Sequence, residues 1–305
     1  MALRFGVLGT GYWAQEAHAT ALAAHPGTEL VGVWGRDPAR TGAFADRFGI
    51  RGHVDLDRLL AEVDAVAIAV PPDVQAELAL AAAAAGRHLL LDKPLALSTD
   101  AADRVAAAAA EHQLATLVFF TLRFLPEVAA WMDQATATGG WQGGGGAWMG
   151  SVFTEPGSPF AGSPWRRRKG ALWDLGPHML ALALPVFGPV QSVTAATMPP
   201  EAVSLILHHR GGAASTLALS QTVPAAAEGI NLFLWGPEGR AAVPAFRLDH
   251  LVALEAAIGE LTGLVAAGAT EHPCDVRLGR GSVAVLAAAE RFLAAGPERR
   301  SAAVG

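Results

Sequence analysis

Up to about residue 120 the chain alternates short apolar runs with longer stretches whose apolar positions recur at helical spacing. Residues 4–8, 30–34, 65–70, 88–91 and 116–120 read as strands, and 13–24, 38–48, 74–85 and 99–111 as helices. The strand runs are apolar on both faces, as strands covered by helices must be. Such alternation predicts βαβ units and a parallel sheet. The pattern changes after Phe124. A helix over 126–137 leads into GGWQGGGG at 139–146, which reads as a flexible turn or loop. A strand at 148–153, a Gly/Pro/Arg-rich loop at 154–170 and a helix over 171–187 follow. Strands at 190–198, 203–209, 213–220 and 230–235 then succeed one another without helices, the signature of a mostly antiparallel sheet. Two Ala-rich helices close the sequence. Two domains are expected, residues 1–120 and 121–305. The first is an α/β domain on a doubly wound parallel sheet, the second an α+β domain with a large, mostly antiparallel sheet.

Composition agrees with a folded chain: of 305 residues 52% are hydrophobic and 16% charged, with a mean hydropathy of +0.32. The net charge of −6 speaks against a nucleic-acid partner, whose binders carry a basic face. The one cysteine, Cys274, leaves no internal disulfide and no Cys-rich metal cluster, and fits a reducing, cytoplasmic setting. The N-terminus carries no targeting pattern, and no apolar run is expected to reach the ~18 residues of a membrane span. No metal site is expected: His18, His25 and His53 stand isolated, and His208 and His209 alternate faces of a strand.

Residues 9–14 read GTGYWA, between the first strand and the first helix. The spacing is that of a dinucleotide-binding turn. Gly9 permits the tight turn, Gly11 lets the backbone approach a pyrophosphate, and Ala14 keeps the helix close to the sheet. The helix N-terminus then faces the phosphates. The first domain is therefore expected to be a Rossmann domain, with Gly9, Thr10, Gly11, Tyr12 and Trp13 around the cofactor. Pro71, after the strand at 65–70, and Lys93 complete the expected cofactor set. The second strand ends in VGVWGRDPAR. An NAD site places a carboxylate at that tip to hold the ribose. Here Gly35 stands at the tip and Arg36 follows, suited to a 2′-phosphate. Asp37, before Pro38, reads as a helix cap. NADP is favoured over NAD, with a plain surface charge as the alternative for Arg36.

HLLLDKPLALS, residues 88–98, puts Lys93 at the carboxyl end of an apolar strand, where open parallel sheets bind their ligands. Pro94 stops the strand. A lysine beside a cofactor serves in proton transfer; a strand-end lysine in solvent is the plainer alternative. In RKGALWDLGPHML, Asp174 and His178 are four apart, on one face of a helix. That spacing lets a carboxylate orient an imidazole, and a helix-surface pair shares it. Pro177 places the start of the regular helix near residue 177. The cations of WRRRK, 165–169, suit an anionic substrate or, as alternatives, a solvated loop or an oligomer contact. Trp165 and Trp173 are candidates to line a pocket.

GTGYWA, VPPDVQAELALAAAAAGRHLLLDKPLAL, FTLRFLP and WRRRKGALWDLGPHML, in this order, resemble the Gfo/Idh/MocA oxidoreductases over nearly the whole chain. The resemblance implies an NAD(P)-dependent dehydrogenase or reductase. It would interconvert a hydroxyl and a carbonyl on a sugar-like or cyclitol-like small molecule. It implies catalytic roles for Lys93, which polarises the reacting oxygen, for His178, the base that takes its proton, and for Asp174, which binds or orients. Arg123, Trp165 and Arg166 are the further substrate candidates. It also implies a homodimer or homotetramer joined through the second sheet. The chain departs from the family at Pro72 and Gln75, where Asn and His are common, and at Thr121, in place of Asn. Ala181 replaces an Asp that helps hold a sugar hydroxyl. This last departure keeps open a non-sugar substrate such as an imine or a tetrapyrrole. A non-catalytic NADP(H)-binding regulator is the other alternative, and the intact Lys, Asp and His speak against it.

Overall fold

The computed structural model describes residues 2–296 and 302–304. Contacts divide the described residues into two compact units: those up to Leu125 together with Leu248–Arg280, and Pro126–Arg247 together with those from Gly281 onward.

The first unit holds six parallel strands: β1 (Leu3–Leu8), β2 (Thr28–Trp34), β3 (Arg51–His53), β4 (Ala65–Ile68), β5 (His88–Asp92) and β6 (Thr116–Phe119). Their order is β3-β2-β1-β4-β5-β6. The direction of winding reverses between β1 and β4, the switch point at which open sheets take their ligands. A π-helical stretch (Ala14–Ala19) runs into α1 (Thr20–Ala24), followed along the chain by α2 (Pro38–Phe48), α3 (Leu56–Glu62), α4 (Pro72–Ala84) and α5 (Thr99–Glu111). Every residue of β4 is buried, as are Leu89, Leu90 and Leu91 of β5, which is why these strands show no alternation. β3 and α3 have no counterpart in the sequence reading. The strand RGH lies at the sheet edge, is three residues long and holds no apolar run.

A boundary near residue 120 accounts for only part of this division. α9 (His250–Ala267) packs on β5, β6 and α1 and buries Ala253, Leu254, Ala257, Ile258 and Leu261. The stretch 248–280 therefore belongs with the first unit. Such a return of the chain is a long-range pairing that local periodicity does not encode. The expectation about apolar runs also fails: α9 and the span 164–187 are long and apolar enough to cross a membrane by length and composition. Ala, Leu, Val and Ile among few charges raise the hydropathy there, and 78% of the apolar window within 164–187 is buried, as in a core helix.

The second unit holds α6 (Pro126–Thr138), β7 (Gly143–Met149), α7 (Pro164–Asp174) and α8 (Gly176–Phe187). These precede β8 (Val190–Met198), β9 (Ala202–His209), β10 (Ala214–Ser220), β11 (Gly229–Gly236) and β12 (Gly239–Ala242). α10 (Val276–Ala294) brings Leu286 against Gly176, and β13 (Ala302–Ala303) completes the sheet. The order is β12-β11-β7-β10-β9-β8-β13, antiparallel except between β7 and β10. α8 packs on one face of β7 and β10.

GGWQGGGG is not a flexible turn throughout: its last four glycines open β7, in the middle of the sheet. A Cβ at Gly143 would lie 2.5 Å from Trp235, at Gly144 2.4 Å from the backbone oxygen of Phe233, and at Gly146 2.7 Å from Met179. Neighbouring strands and α8 fill the space that side chains would need. The strand expected at 148–153 ends at Met149. WRRRK is not a loop but part of α7, which kinks at Gly170 (φ 62°, ψ −167°).

Candidate active site

The chain leaves β1 through Gly9, at φ +125°, where a Cβ would stand 2.4 Å from the carbonyl oxygen of Ala69. Only glycine fits so close to the neighbouring strand. At Gly11 a Cβ would meet nothing within 4 Å, so its backbone is open to a ligand. Ala14 is fully buried, while Tyr12 is exposed. The Thr10 carbonyl accepts from Gln15 Nε2 (3.3 Å) and from Arg40 Nη2 (3.2 Å), which brings a guanidinium to this turn. At the tip of β2, a Cβ on Gly35 would stand 2.5 Å from Thr41 Oγ1 and 2.6 Å from Thr10 Cγ2, so no carboxylate side chain fits there. Arg36 is exposed. The Asp37 carboxylate accepts from the backbone of Ala39 and Arg40 and caps α2. Pro71 occupies the N-cap position of α4, beyond the end of β4.

β5 ends at Asp92, and the Lys93–Pro94 peptide is cis. This turn is fastened by Gln75, 1% exposed on α4. Its amide donates to the carbonyls of Asp92 (2.7 Å), Pro94 (3.0 Å) and Leu95 (3.2 Å), while its oxygen accepts from the Asp92 amide (2.9 Å). The Asp92 carboxylate is held in turn. Its Oδ1 accepts from Trp13 Nε1 (3.3 Å) and lies 3.1 Å from Nε2 of the fully buried His18. His18 is therefore not an isolated histidine. His250, the first residue of α9, sets its ring 5.1 Å from that of Trp13, edge to face. Burial pushes its pKa down, and the charge of Lys93 pushes it further, against Asp249. Gln75, His18 and His250 escape a motif reading. The one local signal is a glutamine on the buried side of an Ala-rich helix.

In the second unit, Asp174 closes α7 and His178 lies in the first turn of α8, on either side of Leu175. Both are 4% exposed. Asp174 Oδ2 accepts from Arg166 Nε (3.0 Å) and from the side-chain amide of the fully buried Gln221. The Arg166 guanidinium is stacked over Phe160 and Trp165, each 4.6 Å away. Glu201 accepts from the backbone of Ala171 and Gln221 and ties α7 to β10's end. The His178 ring lies 4.9 Å from that of Trp148 on β7. The cations of WRRRK do not form an open patch: Arg166 pairs with Asp174, Arg167 bonds the Ala161 carbonyl and Lys169 pairs with Glu290. Trp165 and Trp173 are buried, with Lys169 over the Trp173 ring. Arg123, in the first unit, has Nε and Nη1 enclosed without hydrogen-bond partners. Among the described residues, no group of three or more His, Cys, Asp or Glu is placed to hold a metal ion.

Two family models match the chain in succession: "Oxidoreductase family, NAD-binding Rossmann fold" over residues 3–120, and "GFO/IDH/MocA C-terminal domain" over 147–242. The chain belongs to the Gfo/Idh/MocA family. Among its relatives, an uncharacterized oxidoreductase from a Synechocystis species is 31% identical over 204 residues, 63% of this chain and 53% of that protein. UDP-N-acetylglucosamine 3-dehydrogenase from Acidithiobacillus ferrooxidans is 34% identical over 126 residues, 41% of this chain and 39% of that one. The chain thus spans about half the length, or less, of these curated relatives. Among solved structures, levoglucosan dehydrogenase with NADH and L-sorbose superposes with a TM-score of 0.86 at 20% identity, over 99% of both chains. The Gfo/Idh/MocA membership accounts for the architecture described above, a NAD-binding Rossmann unit and a unit built on a mixed sheet.

Proposed function

We propose that this Gfo/Idh/MocA member is an NADP(H)-dependent oxidoreductase that interconverts a hydroxyl and a carbonyl on a sugar-like or cyclitol-like molecule. The observation that carries the reading is the fastening of Lys93's turn, through Asp92, to the helix that follows the nucleotide fingerprint. The fingerprint itself fits a dinucleotide: Gly9 admits no side chain and Gly11 is open. In this reading the backbone of Gly9, Thr10 and Gly11 holds the pyrophosphate. Gly35 excludes the carboxylate that would favour NAD, and Arg36 with Arg40 holds a 2′-phosphate. A bound nicotinamide supplies the site for hydride exchange. Lys93 polarises the substrate oxygen, and His178 takes its proton in oxidation and returns it in reduction. Asp174, balanced by Arg166 and Gln221, binds or orients. Ala181 is fully buried, and a sugar substrate in this reading is held without a carboxylate from that position.

The similarity to the UDP-N-acetylglucosamine 3-dehydrogenase of Acidithiobacillus makes 3-hydroxy and 3-keto hexoses the first class to test, followed by cyclitols. On the substrate so found, Lys93→Ala and His178→Ala should each lower kcat by about 10²–10⁴-fold. Full turnover by either variant would remove that residue from the chemistry. A wild type that binds NADPH but turns over no sugar or cyclitol would move the reading to the non-sugar class.

A further inference from the structure

The helix that follows the fingerprint is not regular. Ala14–Ala19 is π-helical. In an α-helix, residues five apart point about 140° away from each other. Bonding of the i→i+5 type brings them to one side. Trp13 and His18 are five apart, and both reach the same atom, Asp92 Oδ1. His18 is fully buried, and its Nδ1 is enclosed with no hydrogen-bond partner. A carboxylate oxygen only accepts, so Nε2 carries the proton toward Asp92. An imidazole that leaves one nitrogen unsatisfied in the core is a poor filler. Its one bond, to the residue that precedes Lys93, is what the site gains from it.

We propose that the π-helical turn serves to converge Trp13 and His18 on Asp92, and that His18 is thereby a positioning residue for Lys93. It acts through another side chain and is not itself a catalytic group. Gln75 fixes the backbone of the turn, and His18 with Trp13 fixes the direction of the Asp92 side chain and hence the approach to Lys93. A side chain held by its supporting shell reaches its reactive geometry before substrate arrives. The role assigned to Lys93 rests on the proposed function; its placement by His18 does not.

The chain offers a direct readout, because only two of its 22 Lys and Arg residues are lysines, Lys93 and Lys169. Lysine labelled with ¹³C and ¹⁵N gives two side-chain signals. Lys169, paired with Glu290 at 2.8 Å, serves as the internal reference. Spectra are compared for wild type, His18→Leu, His18→Gln and Trp13→Phe, with and without NADPH. The Lys93 Cε signal should shift and broaden in His18→Leu while Lys169 stays in place. His18→Gln, whose amide can donate to Asp92, should restore it in part. Trp13→Phe removes one donor without opening the core, and should move the same signal even if His18→Leu folds poorly. Lys93 signals identical to wild type in both His18→Leu and Trp13→Phe would overturn the proposal. If NADPH changes no spectrum and does not bind, the proposed function fails, while the nucleotide-free spectra still decide the role of His18.

Discussion

At the scale of single residues, the motifs name the groups proposed to meet a ligand and miss those that hold them. Lys93, Asp174 and His178 stand out in the sequence because their types and spacing suit proton chemistry. Gln75, His18 and Gln221 do not, because their partners lie 17, 74 and 47 residues away. A polar residue on a buried helix face is the only trace of Gln75 and His18, and Gln221, just past the end of β10, leaves none. Gln75 is the sharpest case. Its Nε2 lies within hydrogen-bond distance of three carbonyls of the Lys93 turn, and its oxygen accepts from one amide there. Gln75→Leu leaves these groups buried without partners and should cost about 3 kcal/mol. Urea unfolding measures this. A loss under ~0.5 kcal/mol would mean that the clamp contributes nothing to the turn.

At the scale of elements, apolar runs locate β1, β2, β4, β5 and β6 and the helices between them to within a few residues, and miss only the short edge pair β3 and α3. Burial on both faces makes those runs continuous, so they cannot be mistaken for loops. The same logic fails at β7. Four successive glycines carry no hydrophobic pattern, yet Gly143–Gly146 sits between β10 and β11. Here the information lies in the neighbours, Trp235, Phe233 and Met179, which take the volume that side chains would need. Gly144→Ala should destabilise the chain by more than about 3 kcal/mol or abolish soluble expression, since the clash is with backbone. Gly42→Ala, in α2 with nothing within 4 Å of the added carbon, should instead stabilise by up to ~1 kcal/mol. Thermal melts of the two variants side by side would expose an error in the placement of β7 if both behaved alike.

At the scale of the whole molecule, the change from alternating to successive strands marks the passage from one architecture to the other. The return of α9 to the first unit is not marked, because it depends on which surface is left uncovered. The uncovered face of the second sheet carries Ile206 and Trp235, 44% and 48% exposed. We propose that a second copy of the chain packs on this face and covers these two side chains. Light scattering should find a dimer or tetramer, and Ile206→Glu with Trp235→Lys should reduce it to monomer. A monomeric wild type would rule the interface out.

The central claim is that this Gfo/Idh/MocA chain works with a phosphorylated dinucleotide, selected at the tip of β2. Fluorescence titration with NADPH and NADH, on wild type and on Arg36→Ala and Arg40→Ala, tests it most directly. Wild type should bind NADPH more tightly than NADH. Each substitution should weaken NADPH binding by about 10–100-fold, the worth of one charge-assisted contact to phosphate, and leave NADH nearly unchanged. Equal or tighter binding of NADH by wild type, with NADPH affinity unmoved in both variants, would contradict the assignment of Arg36 and Arg40. Binding of neither nucleotide would contradict the enzyme itself.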